Sequence, residues 1–120
     1  MKFINFHLLK RSFSHAISGL KYNLSHEQNF RIQVIIGAII LFFTFYFPLT
    51  TGQRITLILL ISLVLILELL NSVLERTIDL LKPRIDPGVE IIKKTMSGLV
   101  FLAAITSVII GILIFFPFIF

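Results

Sequence analysis

No cysteine occurs in the 120 residues, which excludes a disulfide framework, a thiolate zinc site and thiol chemistry. The three histidines, His7, His15 and His26, are scattered and lack metal-ligand spacing. Neither GxxxxGK[ST] nor GxGxxG is present, so any nucleotide is handled without the two common phosphate-binding loops. Charge is also sparse: 14% of residues are ionic, with 6 acids against 11 bases, for a net charge of +5. The N-terminal stretch does not read as a secretory signal, because no short apolar core leads to a small-residue cleavage site.

Apolar residues fill the space that charge leaves. They make up 57% of the chain, with 13 Phe, and the mean hydropathy is +0.99. A soluble domain this short has too much surface for its volume to hide them. A bilayer accommodates them, and the expectation is one membrane domain over residues 1–120. The basic residues flank apolar runs, which favours anionic lipid head groups over nucleic acid as their partners.

Residues 6–24 read as an amphipathic helix. Phe6, Leu9, Phe13, Ile17, Leu20 and Leu24 recur at three- and four-residue steps, Lys10, Arg11, Ser14, Ser18 and Lys21 fill the rest, and Asn5 is placed to cap the start. Such a helix lies in the membrane interface. Ser25 and Gln28 have capping-box spacing before an apolar helix at 29–47. Pro48 and Gly52 mark a turn, and Thr50 and Gln53 repeat the capping pattern before a helix at 54–82, which Pro83 ends. Asp86 then Pro87 supply an N-cap and a first helical residue for a helix at 87–116. Each apolar segment approaches the ~20 residues that cross a bilayer. The reading is an all-α membrane protein: an N-terminal surface helix and three transmembrane helices.

Positive charge sets the orientation. Lys2, Lys10, Arg11, Lys21 and Arg31 precede the first span; Arg76, Lys82, Arg84, Lys93 and Lys94 lie between the second and third; Arg54 alone marks the other connection. The N-terminus and the second connection are therefore expected in the cytoplasm and the C-terminus outside. Ala104, Ser107 and Gly111 on the last span are small enough for close helix packing. Three spans form a thin bundle around a polar site, so self-association is expected.

The second span holds the chemistry. Glu68, Asn71, Ser72, Glu75 and Asp79 fall within about 60° of one line along ~16 Å of helix axis. Glu68 sits about 20 Å from the span's outer end, in the cytoplasmic leaflet. A carboxylate at that depth is expensive unless paired, protonated or facing water. One acid alone serves as a helix–helix pin; five polar groups on one stripe point to function. Glu68 is the candidate proton acceptor. Glu75, nearer the cytoplasm, suits a hard cation such as Mg²⁺. With Lys93, Lys94 and Arg84 nearby, the set suits a nucleotide held through its metal ion and its phosphates. Glu27 and Arg31 read either as a local i,i+4 ion pair or, for Glu27, as a second metal ligand level with Glu75.

The run from Glu68 to Asp79 resembles the signature of the bacterial membrane diacylglycerol kinase/undecaprenol kinase family, E-x-x-N-[ST]-x-[hydrophobic]-E-x-x-x-D. Ser18-Gly19-Leu20 resembles the family's surface helix, Glu27 to Arg31 its E-x-x-F-R motif, and Lys93 with Ser97-Gly98 its K-D-x-x-S-[AG] start of the last span. The resemblance implies a homotrimer in the bacterial inner membrane, with active sites between subunits. It also implies transfer of the γ-phosphate of ATP–Mg to a lipid hydroxyl at the cytoplasmic face. It makes Glu68 the base, Glu27 and Glu75 the metal ligands, and Lys93 a phosphate contact. Asn71 becomes a positioning residue and Ser97 a substrate contact. Arg31 and Asp79, within the matched motifs, are counted with the substrate side; Lys94 and Arg84, by their charge beside the acids, and Asp86, as a nearby acid, are counted with the ATP site.

The family's K-D pair is Lys93-Lys94 here, so an aspartate is missing; Asp86 and Glu90 are the nearest acids. Lys10 and Arg11 are the nearest match to a basic residue the family carries early in the surface helix. Two alternatives follow: a member weakened by Lys94, and a small proton-coupled transporter using Glu68.

Overall fold

A computed structural model describes residues 3–81 and 87–120. They form α1 (Phe6–His26), α2 (Gln28–Tyr46), α3 (Thr51–Leu81) and α4 (Pro87–Ile119), with no strand among the described residues. The chain is an all-α membrane protein. α2, α3 and α4 are each long and apolar enough to cross a bilayer, and large apolar side chains stay exposed along all three.

The chain ends of the helices explain their order. Asn5 caps α1, its Oδ1 accepting from the backbone N–H of His7 at 3.0 Å and Leu8 at 3.3 Å. The Ser25–Gln28 capping box does not form. Ser25 Oγ instead donates back to the Lys21 carbonyl at 3.0 Å, so α1 continues to His26. One extended residue, Glu27 (φ −114, ψ 108), separates α1 from α2. Arg31, in the first turn of α2, makes this corner possible. Its Nη1 donates to the Leu24 and Ser25 carbonyls at 3.1 and 2.9 Å, satisfying acceptors that the end of α1 leaves open.

The same device recurs at the opposite end. Arg54, in the first turn of α3, donates from Nε to the Thr44 carbonyl at 3.1 Å and from Nη2 to the Phe47 carbonyl at 3.2 Å. Here the capping box does form: Thr50 N–H donates to Gln53 Oε1 at 3.0 Å, and Gln53 N–H to Thr50 Oγ1 at 3.1 Å. α3 therefore starts at Thr51, earlier than the spacing alone indicates. α4 runs through Pro117, where only one bond near the end is lost and Phe120 N–H still reaches the Phe116 carbonyl at 3.0 Å.

α2 packs antiparallel on α3, and α3 on α4. Gly37 of α2 meets Ile61 of α3 so closely that a Cβ there would stand 3.0 Å from Ile61 Cγ2. Leu49, Leu57, Ile114 and Phe115 form the apolar core near the Arg54 end, joined by Ile40, Phe47 and Ile110. Ala104, Ser107 and Gly111 leave space beside α4 within the chain. They line an open apolar groove of about 720 Å³ between α2 and α4, and a Cβ on Gly111 would meet nothing within 4 Å.

Length positions the polar end. At 1.5 Å per residue, α3 (31 residues) and α4 (33 residues) exceed the ~30 Å hydrocarbon core by roughly half. The excess carries the charged end of α3 and the charged start of α4 beyond the apolar layer. α1 has no buried residue and leaves the bundle sideways, which gives the molecule two long dimensions, 51 and 49 Å, and a thin one of 25 Å.

Candidate active site at the charged end of the bundle

The antiparallel order brings the α1–α2 corner, the second half of α3 and the start of α4 to one end. Glu68 is buried there at 6% exposure, with Ser72 equally buried one turn further along α3. Between them the Asn71 Oδ1 is buried without a donor among the described residues. The carboxylates of Glu27 and Glu75 both lie within electrostatic reach of Glu68. Three of the chain's six acids thus share one small region, two of them from the same helix face and one from the corner.

Among the described residues, two ion pairs rim this group. Arg76 Nη2 donates to Glu27 Oε1 at 2.6 Å, tying α3 to the corner. The Arg76 guanidinium also lies over the Tyr22 ring, 4.4 Å from its centroid. Tyr22 is in turn stacked on His26 at 4.0 Å. On the other side, Lys93 Nζ donates to Asp79 Oδ1 at 2.7 Å, linking α3 to α4, and Glu75 acts on Lys93 electrostatically.

The expected site residues divide accordingly. Glu68, Glu27, Glu75, Asn71, Asp79 and Lys93 are brought to one end of the bundle. Arg31 stands at the corner, where it holds the carbonyls of α1. Lys94 pairs with Glu90 at 3.2 Å on an exposed part of α4. Ser97 is exposed one turn beyond Lys93. Arg84 and Asp86 lie outside the described residues.

Three residues escaped the reading of the sequence. Arg76 adjoins Glu75 in the motif, and a cation in so apolar a helix requires an acidic partner, which was a usable signal. Tyr22 carried none, since its contact with Arg76 is tertiary. Asn23 lies one turn before Glu27. Its Nδ2 donates to the Gly19 carbonyl at 2.9 Å, and its Oδ1 is buried without a donor.

The chemistry of this end is specific. Glu27, Glu75 and the free Asn71 oxygen are all oxygen donors, the type a hard divalent cation requires, and Glu27 already accepts a cation at 2.6 Å. Lys93 supplies a flexible ammonium of the kind that binds phosphate. Glu68 is a shielded carboxylate suited to taking a proton.

Comparison with known proteins identifies the family. Residues 14–115 match the family described as prokaryotic diacylglycerol kinase. An undecaprenol kinase of Bacillus subtilis is 34% identical over 107 residues, covering 89% of this chain and 87% of that one. A diacylglycerol kinase of a Synechocystis species is 36% identical over 101 residues; the match takes in 83% of this chain but 58% of that longer protein. The chain belongs to the prokaryotic diacylglycerol kinase family.

Proposed function

We propose that the chain is a lipid kinase that transfers the γ-phosphate of ATP to the hydroxyl of a membrane lipid, either diacylglycerol or undecaprenol. The observation that carries this reading is a buried Glu68 beside the donorless Asn71 oxygen, within reach of a charged rim. A transfer of this kind needs a base where lipid arrives and charges where nucleotide arrives. This end of the bundle offers both, with the base on α3 and the charges on α3, the start of α4 and the α1–α2 corner.

Glu68 takes the proton from the lipid hydroxyl as its oxygen forms the new bond to the γ-phosphorus. The bond to the β–γ bridging oxygen breaks, and ADP leaves with that electron pair. Asn71, one turn from Glu68 on the same face of α3, positions the lipid beside that base. Glu27 and Glu75 would hold Mg²⁺, whose contribution when bound is to draw negative charge from the phosphate oxygens. Lys93 engages the phosphates, and Lys94 with Arg84 and Asp86 completes the nucleotide side. Ser97 and Arg31 flank the lipid.

The site is placed at the cytoplasmic face of the inner membrane. The asymmetry of Lys and Arg supports this, with Arg54 alone at the far end. The same rule puts the N-terminus inside and the C-terminus outside. We further propose a homotrimer, in which a neighbouring subunit supplies part of each site. The thin bundle and its widely exposed apolar faces support self-association. The test is transfer of radiolabel from γ-labelled ATP to each lipid by the purified chain in mixed micelles. Labelled phosphatidic acid or undecaprenyl phosphate is the expected product; no labelled lipid from either substrate would overturn the reading.

A further inference from the structure

We infer that Arg76 is a positioning residue that stands in for the metal ion on Glu27 and gives that carboxylate up when the ion binds. The inference rests on the lipid-kinase reading for the role of Glu27, but on the observed contacts for the role of Arg76. Glu27 and Glu75 each lie within electrostatic reach of Glu68, and Glu68 is shielded from water. Three carboxylates so placed need a positive charge. In this structure Arg76 meets Glu27 with it, at 2.6 Å.

Three features make the contact exchangeable rather than permanent. The pair is partly open to solvent, at 39% exposure for Arg76 and 31% for Glu27, so separating it strands neither charge in an apolar interior. Arg76 has a second resting place on the Tyr22 ring, which keeps the guanidinium ordered near the site after Glu27 is released. Glu27 itself is the single extended residue between α1 and α2, so its side chain is not bound to a helix face.

The opposite rim repeats the logic with the sign reversed. Lys93, the phosphate contact of the proposed reaction, is held by the carboxylate of Asp79 at 2.7 Å. A cation occupies Glu27 and an anion occupies Lys93, each carrying the charge of the ligand it precedes. Arg76 freed from Glu27 remains beside the corner, where a phosphate oxygen offers it a bidentate partner.

The experiment uses the full chain with Mg²⁺ alone and no nucleotide, with a sodium salt at matched ionic strength as the control. The chain has two tyrosines and no tryptophan, so Tyr46→Phe leaves Tyr22 as the only fluorescent side chain of its type. Mg²⁺ is expected to change Tyr22 emission saturably in that protein, and to leave it unchanged when Arg76→Gln is added. Half-saturation of the Mg²⁺-induced rise in Tm is expected to fall by about tenfold in Arg76→Gln, since one charge-assisted hydrogen bond no longer competes. Arg76→Lys, which keeps the charge but not the planar fork, falls between them. Tyr22 emission that stays flat while Mg²⁺ raises Tm would overturn the inference, as would equal half-saturation in Arg76→Gln and wild type. If Arg76→Gln does not fold, the Tyr22 titration with Arg76 in place decides alone. A saturable Mg²⁺ response in a protein that labels no lipid would sink the kinase reading and leave the exchange standing.

Discussion

Lys93 Nζ and Asp79 Oδ1 lie 2.7 Å apart and connect the charged end of α3 to the start of α4. Both side chains are open to solvent, so the pair holds the fold together only weakly. In the proposed reaction its significance is positional: it holds an ammonium within electrostatic reach of Glu75, on the side where a nucleotide phosphate would arrive. Lys93→Gln should leave Tm almost unchanged while raising the KM for ATP by about tenfold, the loss of one charge-assisted contact. Steady-state kinetics beside a melting curve check this; a large fall in Tm with unchanged KM would make the pair structural.

The corner that presents Glu27 depends on Arg31. Its guanidinium satisfies the Leu24 and Ser25 carbonyls across the one-residue break. Arg31→Gln shortens the side chain and withdraws the Nη1 that donates to both acceptors, so the last turn of α1 should fray. Hydrogen exchange over residues 19–26 is expected to quicken, with the α3 amides near Ile61 unaffected. Exchange that is uniform across the chain, or unaltered in α1, would contradict the assigned role.

Close approach of α2 and α3 rests on Gly37. A Cβ at that position would stand 3.0 Å from Ile61 Cγ2, so a small shift of Ile61 accommodates Gly37→Ala. Gly37→Leu forces the helices apart and should cost about 1–3 kcal/mol. Adding Ile61→Ala to Gly37→Leu should recover part of that loss in reversible unfolding. The same pair of changes at Gly111, which faces open space, should have little effect on the isolated chain.

Much of this was legible from residue spacing. The stripe from Glu68 to Asp79 is visible because helical periodicity and the cost of burying polar groups act on α3 locally. Asn5 and the Thr50–Gln53 box are local too, and both form. Ser25 was misleading because a hydroxyl that caps a helix bonds equally well to its own preceding turn. The Glu27–Arg76 pair spans 49 positions, so no local pattern announces it. Gly111 and Gly37 look alike in sequence, and only the register of α2 on α3 shows that Gly37 is the one under contact.

Glu68→Gln tests the central claim most directly, because it removes the charge and keeps the shape of a side chain at 6% exposure. Phosphate transfer to diacylglycerol and to undecaprenol would be compared between this variant and wild type, with Tm and Mg²⁺ response recorded on the same samples. The account predicts an undiminished Tm and a fall in turnover of about a hundredfold or more, the range for losing a general base. A variant that matches wild-type turnover on a lipid that wild type phosphorylates would show that Glu68 does not accept the proton.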